Sequence, residues 1–162
     1  MIDVLTLKRP VSLQGNGPFY PLAANTFQKL FLMKDYKKYF IVPASPEEIY
    51  IALTNPFTIQ LWSGEVAVMS TEPGSEFSIF DDSIAGKNLE FETNHKIVQE
   101  WYFGDEAEAP SIVTIKLHPH KDGCSVELRH TNIPDEAYED IVDGWSDVYF
   151  AALTDFFEDD EI

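Results

Sequence analysis

One apolar stripe near the end of the chain constrains its fold more than any other feature. From Asp135 to about Glu158, apolar residues recur at steps of three and four, which is the spacing of one face of an α-helix. The stripe comprises Tyr138, Ile141, Val142, Trp145, Val148, Tyr149, Ala152, Leu153 and Phe156. A helix of about 22 residues is roughly 33 Å long, so it needs a broad apolar surface to cover.

The sequence before this helix predicts that surface as an antiparallel meander. Alternating apolar and polar residues indicate strands over residues 38–42, 65–71, 76–83, 89–94, 95–103, 111–117 and 124–131. Turn residues such as Pro73-Gly74 and Asp122-Gly123 separate them. In the strand at 95–103, one face carries Ile97, Gln99, Trp101 and Phe103, although aromatic residues occur on both faces. In the strand at 124–131, one face carries Cys124, Val126, Leu128 and His130.

Two short helices are predicted between the first strand and the rest of the meander. Ser45 is a good N-cap, Pro46 suits the first helical position, and Pro56 disfavours helical geometry at the residue before it. A second helical turn over residues 56–61 leads to Trp62. We therefore expect an α+β fold: a curved antiparallel sheet of about six to seven strands, with a long C-terminal helix packed over it.

The two ends of the chain differ from this pattern. Residues 1–33 show no sustained period, so we expect a poorly ordered N-terminal extension, with Met33 as a hypothetical natural start. Residues 34–158 are expected to form one domain. Residues 159–162 form an acidic tail, which the negative end of a helix dipole disfavours, and we expect it to fray.

Charge argues against several kinds of partner. The formal net charge is -17, and residues 41–162 carry 26 acidic against 5 basic side chains. Such a surface repels phosphate backbones and anionic membrane leaflets, so we expect no nucleic-acid partner. No apolar run approaches the roughly 18 residues of a membrane-spanning helix, so we expect no membrane insertion. The single cysteine, Cys124, indicates a reducing compartment, and we expect a cytoplasmic monomer.

The residues that could carry chemistry do not form a convincing catalytic or metal site. His118 and His120 flank Pro119 just before a turn, which favours histidines at a loop end over metal ligands. Cys124 and His130 would lie about 20 Å apart along one strand, too far for a thiolate and its base. Glu100 and His95 are more simply side chains of an exposed strand face. We assign no catalytic residue, no metal ligand and no cofactor, and an enzyme is the less favoured interpretation.

Large apolar side chains are the better lead to function. The chain has twelve Phe, seven Tyr and three Trp. Alternation and helical spacing direct one set toward the space between sheet and helix: Trp62, Phe77, Ile79, Trp101, Val113, Ile115, Trp145, Tyr149 and Phe156. Because one helix does not fill the hollow of a bent sheet, we expect these residues to line a ligand cavity. The alternative is that they pack directly on one another.

Several stretches together resemble the START-like helix-grip superfamily, which includes birch-pollen-allergen proteins, polyketide cyclases and lipid-transfer domains. The stretches are residues 39–54 (YFIVPASPEEIYIALT), Gly74-Ser75-Glu76-Phe77, Ile84-Ala85-Gly86, residues 97–101 (IVQEW), residues 111–117 and Gly144-Trp145. Within the superfamily, the chain is most similar to the domain related to the activator of the ninety-kilodalton heat-shock protein's ATPase. The resemblance covers residues 34–158 and implies a helix-grip fold with an apolar ligand under the last helix.

Three functions remain open at this point. The first is non-enzymatic binding of a small hydrophobic or amphipathic ligand between sheet and helix. The second, implied by the resemblance, is a protein-interaction domain that contacts a chaperone. Its surface would be the acidic face of the C-terminal helix: Glu136, Glu139, Asp140, Asp143, Asp147 and Asp155. The third is an enzyme of the cyclase or hydrolase kind, disfavoured by the lack of a paired acid and base.

Overall fold

The computed structural model describes residues 33–103 and 110–158. Its strands are β1 (Met33–Val42), β2 (Glu76–Ile79), β3 (Ile84–Glu92), β4 (Lys96–Trp101), β5 (Ser111–His120) and β6 (Gly123–Pro134). Two helices, α1 (Pro46–Thr54) and α2 (Pro56–Ser63), follow β1. The C-terminal helix has four parts: a 3₁₀ turn (Asp135–Ala137), α3 (Tyr138–Gly144), a π-helical turn (Trp145–Tyr149) and α4 (Phe150–Glu158).

The six strands form one curved antiparallel sheet in the order β1-β6-β5-β4-β3-β2. The first and last strands are therefore neighbours, and β1 and β2 form the two edges. The helices cover the inner face, where Phe40 of β1 stacks on Phe150 of α4 with ring centroids 3.9 Å apart. This arrangement confirms the α+β helix-grip fold expected from the sequence.

Local chemistry fixes both short helices. At α1, Ser45 Oγ accepts the backbone N–H of Glu48, whose carboxylate accepts the N–H of Ser45 in return. At α2, Asn55 Oδ1 accepts the backbone N–H groups of Phe57 and Thr58. Gly64 then ends α2 with φ at +79°, a conformation that glycine adopts without strain. The helix boundaries predicted around Ser45 and Pro56 are confirmed.

The strand predicted over residues 65–71 is wrong. Only Val68 pairs there, through one isolated bridge to Ser78 of β2. The segment is held instead by Asn88, whose amide donates to the carbonyl of Ser70 and whose backbone carbonyl accepts the N–H of Gly74. These bonds tie the segment to Asn88 of β3 without a second ladder of hydrogen bonds on β2.

Other strand boundaries also differ from the predictions. β3 begins at Ile84, five residues before the predicted start at residue 89, and β5 and β6 each continue three residues past their predicted ends at residues 117 and 131. The strand predicted over residues 76–83 ends at Ile79, because Phe80, Asp81 and Asp82 have positive φ values of 54°, 53° and 61°. β1 begins at Met33, five residues before the predicted start at Lys38. An irregularity in its pairing between Lys34 and Tyr36 disturbs the alternation that would have indicated the longer strand.

The continuous C-terminal α-helix predicted from the stripe is interrupted by the π-helical turn. A π turn inserts one residue, so the buried face after it moves by one position. Phe150 and Phe157 are buried as a result, whereas Phe156 is half-buried. The stripe predicted the buried face correctly before Trp145, but at the end of the helix it predicted Phe156 where Phe157 is buried.

Two expectations fall, except for Met33, on residues outside the described ranges: poor order over residues 1–33 and the frayed tail at 159–162. Met33, the first described residue, lies in β1. Among the described residues, no helix is long and apolar enough to cross a membrane.

Candidate binding cleft beneath the C-terminal helix

A stack of aromatic rings occupies the space between the C-terminal helix and the sheet. Trp145 of the π turn stacks on Trp101 of β4, with ring centroids 4.6 Å apart. Tyr149 lies 4.7 Å from Trp145 and 5.1 Å from Trp62, which α2 brings in from the side. Most of the hollow expected from the sheet's curvature is therefore filled with side chains.

The nine residues predicted to line a ligand cavity fall into three groups. Trp101, Trp145 and Tyr149 border one small cavity. Trp62 packs on Tyr149 and Phe80 behind it. Four others are buried in the core, and one is half-buried at the end of α4: Phe77, Ile79, Val113, Ile115 and Phe156. The ring residues of the prediction thus converge, and their contact with a ligand stays a prediction.

The cavity itself is narrow. It offers about 20 Å³ to the centre of a water molecule, whereas one water needs roughly 10–15 Å³ on this measure. Its lining comes from the C-terminal helix, from β4 and from the β2–β3 connection: Phe80, Ile84, Trp101, Asp140, Ile141, Gly144, Trp145, Val148 and Tyr149. As it stands, the space holds about one water and no apolar guest of lipid size.

His130 anchors the helix to the sheet from inside the core. Its ring is fully buried, and Nδ1 lies 3.1 Å from the indole Nε1 of Trp145. An indole N–H only donates, so Nδ1 must accept, and the proton of neutral His130 sits on Nε2. Nε2 lies 2.7 Å from Ser111 Oγ, and that hydroxyl donates to the carbonyl of Thr131. Burial lowers the pKa of His130 to about 3, which keeps the ring neutral.

This assignment rules out a serine nucleophile at Ser111. A base must accept the hydroxyl proton, but His130 Nε2 donates to Ser111 Oγ, and its other nitrogen is occupied by Trp145. The Ser111–His130 contact resembles a catalytic pair in distance only. Its role is to satisfy buried polar atoms and to fix the position of Trp145.

A second buried polar chain runs along the sheet. Trp101 Nε1 donates to Gln99 Oε1 at 3.2 Å, and Gln99 Nε2 donates to Asn88 Oδ1 at 3.0 Å. The indole of Trp62 donates to the carbonyl of Ala52. All three tryptophan N–H groups are thus used within the protein, so none is available to orient a ligand.

Tyr149 places a polar group, its hydroxyl, at the ring stack beside the cavity. Its hydroxyl has no hydrogen-bond partner within the described part of the chain, and burial raises its pKa well above the ordinary value. The cavity borders the π turn on one side and the start of the positive-φ run at Phe80 on the other. π-helical turns and residues with left-handed backbone conformation are frequent at functional sites.

The other candidate chemical groups lie away from this cleft. His118 Nε2 pairs with Glu127 at 3.2 Å on the exposed end of β5, and His120 contacts Asp122 in the following turn. Cys124 is buried, and burial raises its pKa to about 11, which leaves an unreactive thiol. Within residues 33–103 and 110–158, no three His, Cys, Asp or Glu side chains cluster in a way that could hold a metal.

Sequence reasoning missed Phe80, His130 and Phe150 as members of the ring cluster. Alternation directed Phe80 outward, but the positive-φ run turns it onto Trp62, and Asp81-Asp82 was the available signal for such a turn. His130 was assigned to the correct face of its strand without a partner. The π turn that buries Phe150 has no reliable sequence signature.

Residues 43–158 match the family model described as Activator of Hsp90 ATPase homolog 1-like protein. The chain belongs to this family. The resemblance deduced from the sequence is thereby confirmed.

Two relatives in this family carry the activator name. A mouse protein called activator of 90 kDa heat shock protein ATPase homolog 2 is 26% identical over 113 residues, covering 69% of this chain and 34% of that protein. A homologous activator from Dictyostelium discoideum is 29% identical over 103 residues, covering 62% of this chain and 27% of that protein. The chain thus matches about a third of the length of these relatives.

Solved structures show the same fold. An HSP90 activator from Plasmodium falciparum superposes with a TM-score of 0.63 at 26% identity, covering 74% of this chain and 91% of that one. A protein from Mesorhizobium loti gives 0.68 at 23% identity, covering 80% and 100%. The Aha1 dimer from Colwellia psychrerythraea gives 0.67 at 19% identity, covering 78% and 97%.

Proposed function

We propose that this domain binds a chaperone of the ninety-kilodalton heat-shock class through the acidic face of its C-terminal helix. The observation that carries the proposal is the match of residues 43–158 to the activator family. The ring packing beneath the helix also favours it, because the cavity bordered by Trp101, Trp145 and Tyr149 offers only about 20 Å³.

The acidic face has the exposure that such contacts need. Glu136, Glu139, Asp140, Asp143, Asp147 and Asp155 are all exposed, and together they form the acidic stripe. No basic side chain occurs between residues 130 and 162, so the stripe is not neutralised along its own helix. A basic surface on the partner would be attracted to it, mainly through faster association at low salt.

A pair of charge reversals tests the proposal. Asp143→Lys with Asp147→Lys reverses two exposed charges of the stripe, and Glu90→Lys with Asp122→Lys makes the same change in net charge on the sheet. Binding to the full-length chaperone is measured by calorimetry at two salt concentrations. We expect the stripe variant to bind roughly tenfold more weakly and the sheet variant to bind like the wild type. Equal weakening in both variants, or no binding by the wild type, would contradict the proposal.

A second candidate is binding of a small amphipathic ligand, supported by the Tyr149 hydroxyl, which no side chain or backbone group of residues 33–103 and 110–158 binds beside the cavity. The aromatic rings that line the cavity would have to move apart to admit such a ligand. The π turn and the run Phe80–Asp82 are the segments where this movement would occur. Oleate is a suitable probe. If this second candidate holds, oleate binds, and Tyr149→Phe weakens its binding roughly fivefold by removing one hydrogen bond, whereas exposed Tyr39→Phe does not. Equal binding by both variants would exclude a role for this hydroxyl.

We further propose that the domain acts as a monomer in the cytoplasm. Two copies that each carry a net charge of -17 repel each other. A single cysteine that is buried and unreactive is compatible with a reducing compartment. Sedimentation at low and high protein concentration tests the first point, and a concentration-dependent dimer would contradict it.

A further inference from the structure

Four apolar side chains on one short stretch of surface are exposed among the residues that the structure describes. Phe57 and Leu61 of α2 are 79% and 70% exposed, and Val66 and Val68 of the next segment are 69% and 57% exposed. These are the most exposed large apolar side chains among the described residues. Single exposed apolar residues are ordinary, but four within twelve positions indicate an interaction surface. We call them the α2 patch.

The backbone beneath the α2 patch is firmly held. On its inner side, α2 buries Ile59 and Trp62, and Trp62 packs on Tyr149. Past the end of α2, the backbone of Val68 exchanges two hydrogen bonds with Ser78, at 2.8 and 2.9 Å. A surface that is already ordered loses little conformational entropy when it binds. The α2 patch is therefore preorganised for binding.

The charges around the patch indicate the chemistry of its occupant. Residues 43–86 contain seven acidic side chains and no Lys or Arg. The exposed Lys87 that follows lies opposite Glu76 of β2. Glu47 and Glu48 open α1, and Glu65 stands next to Val66. The lysines of β1 lie at the opposite edge of the sheet from β2, to which the patch segment is bridged. An apolar segment flanked by basic residues would match both the apolar contact and the surrounding charge.

A second copy of this chain is a poor match for the same reason. Both copies would bring acidic surroundings to the contact, and each carries a net charge of -17. The patch also lies in the same helical layer as the acidic stripe, because α2 packs against α4, which carries Asp155. The occupant is thus best supplied by a different protein that approaches this layer.

We infer that the α2 patch is the apolar anchor site for a basic, amphipathic segment of the partner protein, next to the acidic stripe. The inference rests on the proposed function for the identity of the partner, and on the patch itself for the chemistry of the segment. Phe57 and Leu61, one helical turn apart, would supply the central contacts, and the acidic side chains would attract the flanking Lys or Arg.

The surface is tested without the chaperone by using two synthetic helices as probes. One carries Leu on one face and Lys on the other, and the second has Glu in place of every Lys. We expect the Leu/Lys helix alone to bind, with NMR shift changes centred on residues 55–68. Phe57→Ser with Leu61→Ser should weaken this binding roughly tenfold or more. Ile41→Ser, an exposed apolar residue on β1, is the matched control and should change nothing.

Both variants should fold, since the replaced side chains are exposed and serine costs little in a helix. Shift changes confined to the acidic stripe, equal binding of the two helices, or a concentration-dependent dimer abolished by Phe57→Ser and Leu61→Ser would each overturn the inference. Calorimetry with the full-length chaperone separates the two proposals. If only the stripe variant loses chaperone binding, the anchor site is refuted and the proposed function stands. If the Leu/Lys helix binds the patch but the chaperone does not bind, the proposed function is refuted and the anchor site stands.

Discussion

Acid should loosen this domain through His130, and the size of the effect follows from its surroundings. The ring is fully buried, accepts a hydrogen bond from Trp145 at Nδ1 and donates to Ser111 at Nε2. Burial lowers the pKa of the ring to about 3, so the folded state takes up a second ring proton, which would point at the indole N–H, only as the pH approaches that value. In the unfolded chain the same ring takes up a proton near pH 6.5. Between these two values the unfolded state binds one proton more.

This difference in bound protons sets the sign and magnitude of the pH dependence of the free energy of unfolding. Because the pKa in the folded state is lowered, the contribution of His130 is complete above pH 6.5 and is lost as the pH falls toward 3. One extra proton in the unfolded state lowers the free energy of unfolding by ~1.4 kcal/mol for each pH unit. At pH 4.5, two units below the unfolded pKa, the loss is about 3 kcal/mol, a large share of the stability of an ordinary domain.

The assay is urea unfolding of the wild type, His130→Gln and His95→Gln at pH 7.0, 6.0, 5.0 and 4.5. The many carboxylates contribute to the pH dependence of all three, so the difference between slopes isolates His130. We expect His130→Gln to be less stable at pH 7 but to lose ~1.4 kcal/mol less per pH unit below 6.5 than the wild type. His95→Gln, which removes an exposed ring, should keep the wild-type slope. Parallel slopes for the wild type and His130→Gln would refute the reasoning.

Two further predictions concern the sheet and the helix. Gly86→Ala would drive its new Cβ into the backbone carbonyl of Glu100, so we expect a loss of about 1–3 kcal/mol in urea unfolding. Gly144→Ala meets open space inside α3 and should instead stabilise by about 0.5–1 kcal/mol; a loss would show that the helix there differs from the one described. Gln99→Leu removes the hydrogen-bond partners of the Trp101 indole N–H and of Asn88 Oδ1, so it should lower the free energy of unfolding by about 2 kcal/mol or more. Gln60→Leu, on exposed α2 surface, should change stability by less than ~0.5 kcal/mol, and equal costs would mean that the buried amide chain is not made.

The fold was largely predictable because its signals are local and repeated. Alternation assigned the inner faces of β4 and β6, and Ser45 and Pro56 fixed the ends of the short helices. The failures share one cause: a few residues adopt a conformation set by tertiary contacts. Asn88 holds residues 65–71 without a ladder, and the π turn moves the buried face from Phe156 to Phe157.

The site was less predictable than the fold. Spacing brought Trp101, Trp145 and Tyr149 to one place, but it carries no information on how closely rings fill a hollow. Whether a bent sheet and one helix enclose a cavity depends on a few ångströms of ring packing, such as the 4.6 Å between Trp101 and Trp145. The α2 patch was missed for a different reason, since apolar residues on a short helix are read as core by default.

The most direct test of a closed interior and a binding surface is ¹⁹F NMR of the domain with 5-fluorotryptophan at its three tryptophans, Trp62, Trp101 and Trp145. Full-length chaperone should broaden all three lines, because the domain would tumble as part of a large complex. Oleate should leave all three line positions unchanged, because the cavity of about 20 Å³ does not admit it. Oleate-induced shifts at Trp101 and Trp145, together with unchanged linewidths on adding the chaperone, would contradict the account.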